Sequence, residues 1–311
     1  MTRALALLVA VLAGCRAPPL PPAAWFPAGT AFSARYVTLD GTRIRYVDVG
    51  RGPAVVLVHG LAASLYSWRN QLGPLAAAGF RVVAFDNRGC GASDKPAHGY
   101  DNAADARLLV ALMDSLGIPD AVLVGHSMGG AIGAEVALAL PARVRGLVLI
   151  GSAGLGARQP LLFRVARWPL VGPLLLAFRG RGLIERLMRS TYANPAAVTP
   201  ADVDQYYAPV AEPDYGRAFR AVLREFRFDG LRGRLEHIAA PTLLVWGEED
   251  RWVPVALGRV MASQIPRVAF VTLPHAGHNA HEEAAAAFNH LVIKFLREGL
   301  PRVPADLARR R

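Results

Sequence analysis

One short stretch constrains this chain more than any other: Gly125-His126-Ser127-Met128-Gly129-Gly130. It follows an apolar, β-branched run (residues 121–124) and precedes a long helix-compatible stretch (residues 128–140). A G-x-S-x-G placed between a strand and a helix is a tight turn that displays its serine. The flanking glycines are needed because side chains there would meet neighbouring backbone. The start of the following helix favours negative charge developing near the serine.

The surrounding pattern agrees with such a turn. Short strand-like runs cover residues 35–39, 44–49, 54–58, 81–85, 121–124, 144–150, 242–246 and 268–272. Asp40-Gly41 joins the first two and signals a hairpin. The later runs are continuously apolar, as expected of parallel strands covered on both faces. Helical stretches at 67–78, 101–116, 128–140, 254–265 and 282–297 lie between them. The expectation is a doubly wound, mostly parallel, eight-stranded α/β sheet. About ninety residues after the sixth run contain no strand signal. Residues 161–178, 182–188 and 218–226 are helix-compatible there, so a helical cap is expected over 155–237. The core is then 34–154 and 238–299, with a basic tail at 300–311.

A serine is a poor nucleophile until a base and an orienting acid activate it. In this architecture the acid follows the serine in the chain and the histidine comes last. After the seventh run, Gly247-Glu248-Glu249-Asp250-Arg251-Trp252-Val253-Pro254 offers three carboxylates. After the eighth, Pro274-His275-Ala276-Gly277-His278 offers two histidines, and His281 follows. An oxyanion hole needs two main-chain N–H groups. One belongs to Met128, after the serine, and the second is assigned to Leu61, in the Val58-His59-Gly60-Leu61 turn after the third run. His59 reads as structural.

These residues resemble the α/β-hydrolase superfamily over about residues 34–297. The loop Asp86-Asn87-Arg88-Gly89-Cys90-Gly91-Ala92-Ser93 matches its D-x-R-G-x-G-x-S pattern. The resemblance selects Asp250 through G-x-x-D-x-x-x-P and His278 through A-G-H. Glu248, Glu249, His275 and His281 are left as polar loop residues, and Cys90 as a small buried filler. The serine separates the chain from dehalogenases and epoxide hydrolases, which use aspartate. Gly125–Gly129 does not match the iminopeptidase pattern G-G-S-W-G. His126 stands where cofactor-free haloperoxidases often have Phe. Asn279 stands where C–C bond hydrolases of aromatic degradation commonly have Trp. What remains is similar to carboxylesterases and monoacylglycerol-type lipases, which implies ester cleavage by an acyl-serine mechanism, without metal or organic cofactor. The alternatives are a C–C bond or peroxy-type hydrolase and, in another class, a non-catalytic envelope binding lipoprotein.

The N-terminus carries a second message. Arg3 precedes an unbroken apolar run (residues 4–13), then Gly14 and Cys15. This is a signal-peptide pattern over residues 1–14, too short to stay as a spanning helix. Leu12-Ala13-Gly14-Cys15 resembles the bacterial lipobox, which implies lipidation of Cys15 and membrane attachment through it. The proline-rich residues 15–33 read as an extended spacer. Arg16 after the cysteine, where inner-membrane retention typically uses Asp, points to the periplasmic face of the outer membrane. With Cys15 and Cys90 the only cysteines, one disulfide is arithmetically possible, and no metal-ligand spacing exists.

The net charge is +11, yet only Lys95 and Lys294 are lysines. An arginine bias beside abundant alanine indicates a GC-rich coding sequence, and no nucleic-acid motif accompanies it, so no nucleic-acid partner is expected. Arginines interleave with Leu, Val, Trp and Phe over 158–189, where seven arginines face one acid, Glu185. That composition fits a packed cap with solvated arginines, or a face that meets anionic lipid. Substrate and oligomeric state are left open.

Overall fold

The computed structural model describes residues 18–156 and 160–300. Cys15, the apolar run before it, Arg158 and the basic tail therefore lie outside the described residues. Eight strands form one sheet: β1 (Arg35–Leu39), β2 (Thr42–Val49), β3 (Ala54–Val58), β4 (Arg81–Phe85), β5 (Ala121–His126), β6 (Val144–Ile150), β7 (Thr242–Gly247) and β8 (Val268–Leu273). Their order is β1-β2-β4-β3-β5-β6-β7-β8. The pairs β1–β2 and β2–β4 are antiparallel, and all later pairs are parallel. At the hairpin, Asp40 and Gly41 have φ of 47° and 76°. Two consecutive positive values are what a two-residue turn of matching twist requires, and Asp-Gly supplies them cheaply.

The helices are α1 (Arg69–Ala77), α2 (Asn102–Ser115), α3 (Met128–Ala139), α4 (Leu161–Ala166), α5 (Val171–Ala177), α6 (Arg181–Thr191), α7 (Pro200–Val210), α8 (Tyr215–Glu225), α9 (Val255–Gln264), α10 (Ala280–Glu283) and α11 (Ala285–Glu298). Two cores result, one on each face of the sheet. On one side Leu109, Leu112, Ile132 and Met261 from α2, α3 and α9 pack on Val56, Leu123 and Leu147. On the other, Leu72, Leu75, Phe288 and Val292 from α1 and α11 pack on Leu57, Val124 and Val148. Covering both faces explains why β3, β5, β6 and β7 are apolar runs without alternation.

The cap enters between β6 and β7, as the strand gap implied. Pro169 separates α4 from α5, so the apolar stretch is two short helices and not one. Helix α7 was not foreseen. It starts from local chemistry: Thr199 and Asp202 form a reciprocal capping box, with Pro200 in the first turn. The expected helix at 282–297 is broken at Ala284, giving α10 and α11.

The segment expected to be a free spacer is docked well before residue 33. Trp25 and Phe26 are buried. The Phe26 N–H donates to Gln205 Oε1 (2.9 Å), and Gln205 Nε2 donates to the Ala24 carbonyl (3.0 Å). Two large aromatic side chains outweigh the extended preference of the surrounding prolines by leaving water.

Candidate active site

The parallel strands β3, β5, β7 and β8 deliver the four site loops to one edge, at their C-terminal ends, which is where open α/β sheets place their ligands. Ser127 follows β5 with φ 52° and ψ −115°. A non-glycine residue held there is strained and persists only when its surroundings enforce it. They do so from both sides. The Ser127 N–H donates to the Ile150 carbonyl (2.9 Å), and the Ser127 carbonyl accepts from Ala153 (2.9 Å). A Cβ on Gly129 would lie 2.1 Å from the Val58 carbonyl oxygen, and one on Gly125 2.4 Å from that of Gly129. Only glycine lets the turn close this tightly.

Asp250 and His278 meet as a buried pair. His278 Nδ1 lies 2.8 Å from Asp250 Oδ2. The other carboxylate oxygen, Oδ1, accepts the main-chain N–H groups of Trp252 (2.9 Å) and Val253 (2.8 Å). Both carboxylate oxygens are thus engaged, and an acceptor at Nδ1 favours the tautomer with its proton there, leaving Nε2 able to accept one. Trp252 stacks on the His278 ring at 6.2 Å. Glu248 and Glu249 are exposed, and Glu248 accepts only from Thr272. Of the three carboxylates in the loop, only Asp250 reaches a histidine of the site.

Leu61 lines the same cavity as Ser127 and His278, and Met128 follows Ser127 at the start of α3. The Met128 N–H starts a helix and has no intrahelical acceptor. The Leu61 N–H is bonded to no acceptor among the described residues. Both can serve an oxyanion. His59 is buried, with Nδ1 against the Gly60 carbonyl (2.8 Å) and Nε2 accepting from Asn87 (2.9 Å). Burial lowers its pKa, so it is a neutral brace between two loops. Asp86 supports the same region, accepting from Arg45, Leu65 and Ala92. Cys90 is buried and its thiol is pushed up to about 12, which makes it unreactive.

Several residues of the site were not foreseen. Gly151 lies under the acid–base pair with φ 47°, and a Cβ there would be 3.0 Å from Asp250 Oδ2 and 3.1 Å from His278 Nδ1. The lone glycine after β6 was its only signal. Thr191, at the end of cap helix α6, accepts the His278 N–H through its carbonyl (2.7 Å) and the Asn279 side chain through Oγ1 (3.0 Å). Glu283 bonds the main-chain N–H groups of Gly277 and Ala193 and so joins the histidine loop to the cap. His281 corrects the sequence reading: it is not a polar loop residue but fully buried, its ring 4.6 Å from His126 and 4.7 Å from Trp68. His126 sits 4.7 Å from the His278 ring, with Nε2 against the His278 carbonyl (3.0 Å). Burial drives His126 well below its usual pKa and His281 down to about 3, so both are neutral. His275 is exposed, as expected of a loop residue.

The cavity over Ser127 is closed by the cap. Core residues Ala62, Ala153, Trp252 and Val253 form its floor, and Pro160, Phe163, Ile184, Leu187, Met188 and Val210 its roof. Its polar groups are His126, Ser127, Thr191, Tyr206, His278 and Asn279, and no Arg or Lys lines it among the described residues. Tyr206 is tied back by donating to Glu282 (2.6 Å), which also binds Tyr192 and pairs with Arg69. This network joins cap to core beside the cavity.

Residues 53–285 match the family described as alpha/beta hydrolase fold. A 2-hydroxy-6-oxo-6-phenylhexa-2,4-dienoate hydrolase of Burkholderia cepacia is 32% identical over 272 residues, covering 84% of this chain and 93% of that protein. Comamonas testosteroni has a relative of the same name, and both it and Cupriavidus pinatubonensis have one named 2-hydroxy-6-oxononadienedioate/2-hydroxy-6-oxononatrienedioate hydrolase. Asn279 in place of Trp therefore does not set the chain apart from C–C hydrolases, and these relatives favour that alternative over the esterase resemblance. Two solved structures extend the range. Est816, described as degrading N-acyl homoserine lactones, is 31% identical with a TM-score of 0.72, covering 84% of this chain and all of its own. A membrane phospholipase A is 28% identical with a TM-score of 0.70, covering 95% of this chain and 98% of its own. The chain is a hydrolase and belongs to the α/β-hydrolase superfamily.

Proposed function

We propose that this protein cleaves uncharged, lipophilic carboxylic esters or lactones through an acyl-serine intermediate. Ser127 Oγ attacks the carbonyl carbon while His278 Nε2 takes its proton. Asp250 holds the imidazole and stabilises its charged form. The N–H groups of Leu61 and Met128 receive the oxyanion, a contribution of about 100- to 1,000-fold per donor in related chemistry. His278 then protonates the leaving alcohol, and a water activated by the same base releases the acid.

The observation that carries this reading is the cavity's lining. A dienoate brings a carboxylate, and burying one without a cation or a dense set of donors is costly. An apolar lining with no Arg or Lys among the described residues suits a neutral acyl chain better. The lactone-degrading and phospholipase structures give the same reading support. C–C bond hydrolysis is the second reading, favoured by the dienoate hydrolases among the relatives.

Steady-state rates over p-nitrophenyl esters from acetyl to palmitoyl, measured beside 2-hydroxy-6-oxo-6-phenylhexa-2,4-dienoate, test the two. The ester reading expects higher kcat/KM on a medium or long acyl ester than on the dienoate. The reverse order, by about tenfold or more (1.4 kcal/mol of transition-state binding), overturns it. A fluorophosphonate probe should label the protein and fail on Ser127→Ala, whereas a pure binding protein labels in neither form.

The lipobox-like Leu12-Ala13-Gly14-Cys15 supports a further proposal, a lipid-anchored protein of the bacterial cell envelope. Mass spectrometry of the membrane fraction should find a mature chain starting at an acylated Cys15. An unmodified cysteine there rejects it.

A further inference from the structure

The first two cap helices are apolar on both faces. Inward, Phe163, Ala166 and Leu176 are buried, and Phe163 reaches the cavity. Outward, Leu161, Trp168, Leu170, Val171, Leu174 and Phe178 are exposed, Leu170 at 88% and Leu161 at 70%. Large exposed apolar side chains elsewhere among the described residues are Tyr36, Leu140 and Val260, each far from the others along the chain. Scattered singles of that kind are ordinary, but six within eighteen residues mark a surface that meets something apolar.

Charge says what that is. Within the same cap, Arg181 and Arg189 pair with Glu185 and Asp204. Arg164, Arg167 and Arg186 form no ion pair among the described residues, and Arg164 and Arg186 are exposed. Unpaired guanidinium groups in the same cap as exposed leucines and a tryptophan suit a head-group layer, where apolar side chains enter the acyl boundary and arginines meet phosphate. The first described segment is also bonded to the cap, through Phe26 and Ala24 to Gln205 of α7.

We propose that the outer face of α4 and α5 docks on an anionic lipid bilayer, with Leu170 and Leu174 inserted and Arg164 and Arg186 on lipid phosphates. The cavity roof is then the membrane-facing wall, whichever bond the site cleaves.

The test uses the full chain carrying Cys15→Ser, which removes acylation while leaving residues 4–13 common to every variant. Co-sedimentation is measured with vesicles of phosphatidylcholine alone and of phosphatidylcholine and phosphatidylglycerol in equal parts, at low and high salt. The parent should prefer the anionic vesicles, and salt should weaken that preference. Leu170→Glu/Leu174→Glu should cut anionic binding by about tenfold or more, with thermal midpoint and hydrolysis of a soluble ester unchanged. Arg164→Gln/Arg186→Gln should remove most of the preference for anionic over neutral vesicles. Equal parental binding to both vesicles without salt dependence overturns the proposal. So does unchanged binding by the leucine variant, and so does a dimer dissolved by that variant while vesicle binding persists, which makes the patch a self-contact.

Discussion

The site loops and the cap are built on opposite terms. In the loops, backbone passes so close to backbone that single atoms decide identity, as at Gly125, Gly129 and Gly151. In the cap roof, Phe163, Ile184, Leu187, Met188 and Val210 present only apolar bulk, and any hydrophobic set of similar volume could replace them. The difference separates two kinds of information. Chemistry is held by steric exclusion, which leaves few permitted sequences. Substrate choice is held by cavity shape, which many sequences can supply. A shared fold beside names as different as dienoate hydrolase, lactone-degrading enzyme and phospholipase is the natural result.

The comparison breaks first at the loops, where effects should be largest. Ser127→Ala should abolish turnover, and Asp250→Asn should lower kcat by about 10,000-fold, the size seen when a triad aspartate is amidated in a serine protease. Glu248→Gln and Glu249→Gln, on exposed neighbours in the same loop, should stay within about twofold, since surface changes of this kind cost little. Steady-state kinetics on one ester substrate checks all four. An inactive Glu248→Gln with an active Asp250→Asn would falsify the assignment of the acid.

Gly151→Ala comes next. It introduces a Cβ about 3 Å from both partners of the Asp250–His278 pair, at a residue with φ 47°. Left-handed backbone at a non-glycine residue costs on the order of 1–3 kcal/mol. The thermal midpoint should fall accordingly, and kcat should drop with KM little changed if, as proposed, His278 is the base. A fall in KM alone would place Gly151 outside the acid–base machinery.

Legibility follows the same division. The sheet and the turn at Ser127 could be read because strand patterning and glycine spacing are short-range signals, while Asp250 and His278 were singled out among neighbouring acids and histidines by the family resemblance. The oxyanion donors were assigned from two turns, Met128 after β5 and Leu61 after β3. Gly151, Thr191 and Glu283 could not be read. Each acts through a contact with a residue far along the chain, and none belongs to a local pattern. His281 was misjudged for a related reason: its position after a polar loop suggested exposure, but α10 turns it beneath Trp68 and His126. In the cap, helix-compatible stretches were visible, while which apolar residues point outward depends on how α4 and α5 pack on α8.

The buried histidines predict a pH effect of intermediate size. His281 titrates near 6.5 when unfolded and at about 3 in the folded chain, because burial disfavours its charged form. Between those values the unfolded state binds the extra proton. Stability attributable to neutral His281 is therefore complete above about pH 6.5 and declines as pH falls, by about 1.4 kcal/mol per unit. His126, lowered in the same direction, adds to the slope. Denaturant midpoints from neutral to mildly acid pH should show this decline, and His281→Leu should flatten it. An unchanged slope in that variant would assign the acid lability elsewhere.

The smallest effect should come from the outer face of the cap, and its size sharpens the comparison. Phe163 and Trp168 are aromatic neighbours five residues apart, on opposite sides of the same short segment. Phe163 packs edge-on against Phe219 at 5.3 Å and Trp252 at 5.7 Å, and Trp252 stacks on His278. Phe163→Ala should open the roof, raise KM for a long-chain ester and destabilise the protein by about 3 kcal/mol, in the range for buried aromatic truncations. Trp168 is 58% exposed. Trp168→Ala should change stability by no more than about 0.5 kcal/mol and leave kcat/KM on a soluble ester as it was. If it raised KM as Phe163→Ala does, Trp168 would belong to the cavity wall and the two faces of the cap would not be distinct surfaces. If only binding to anionic vesicles fell, the inner face would serve the substrate and the outer face the membrane.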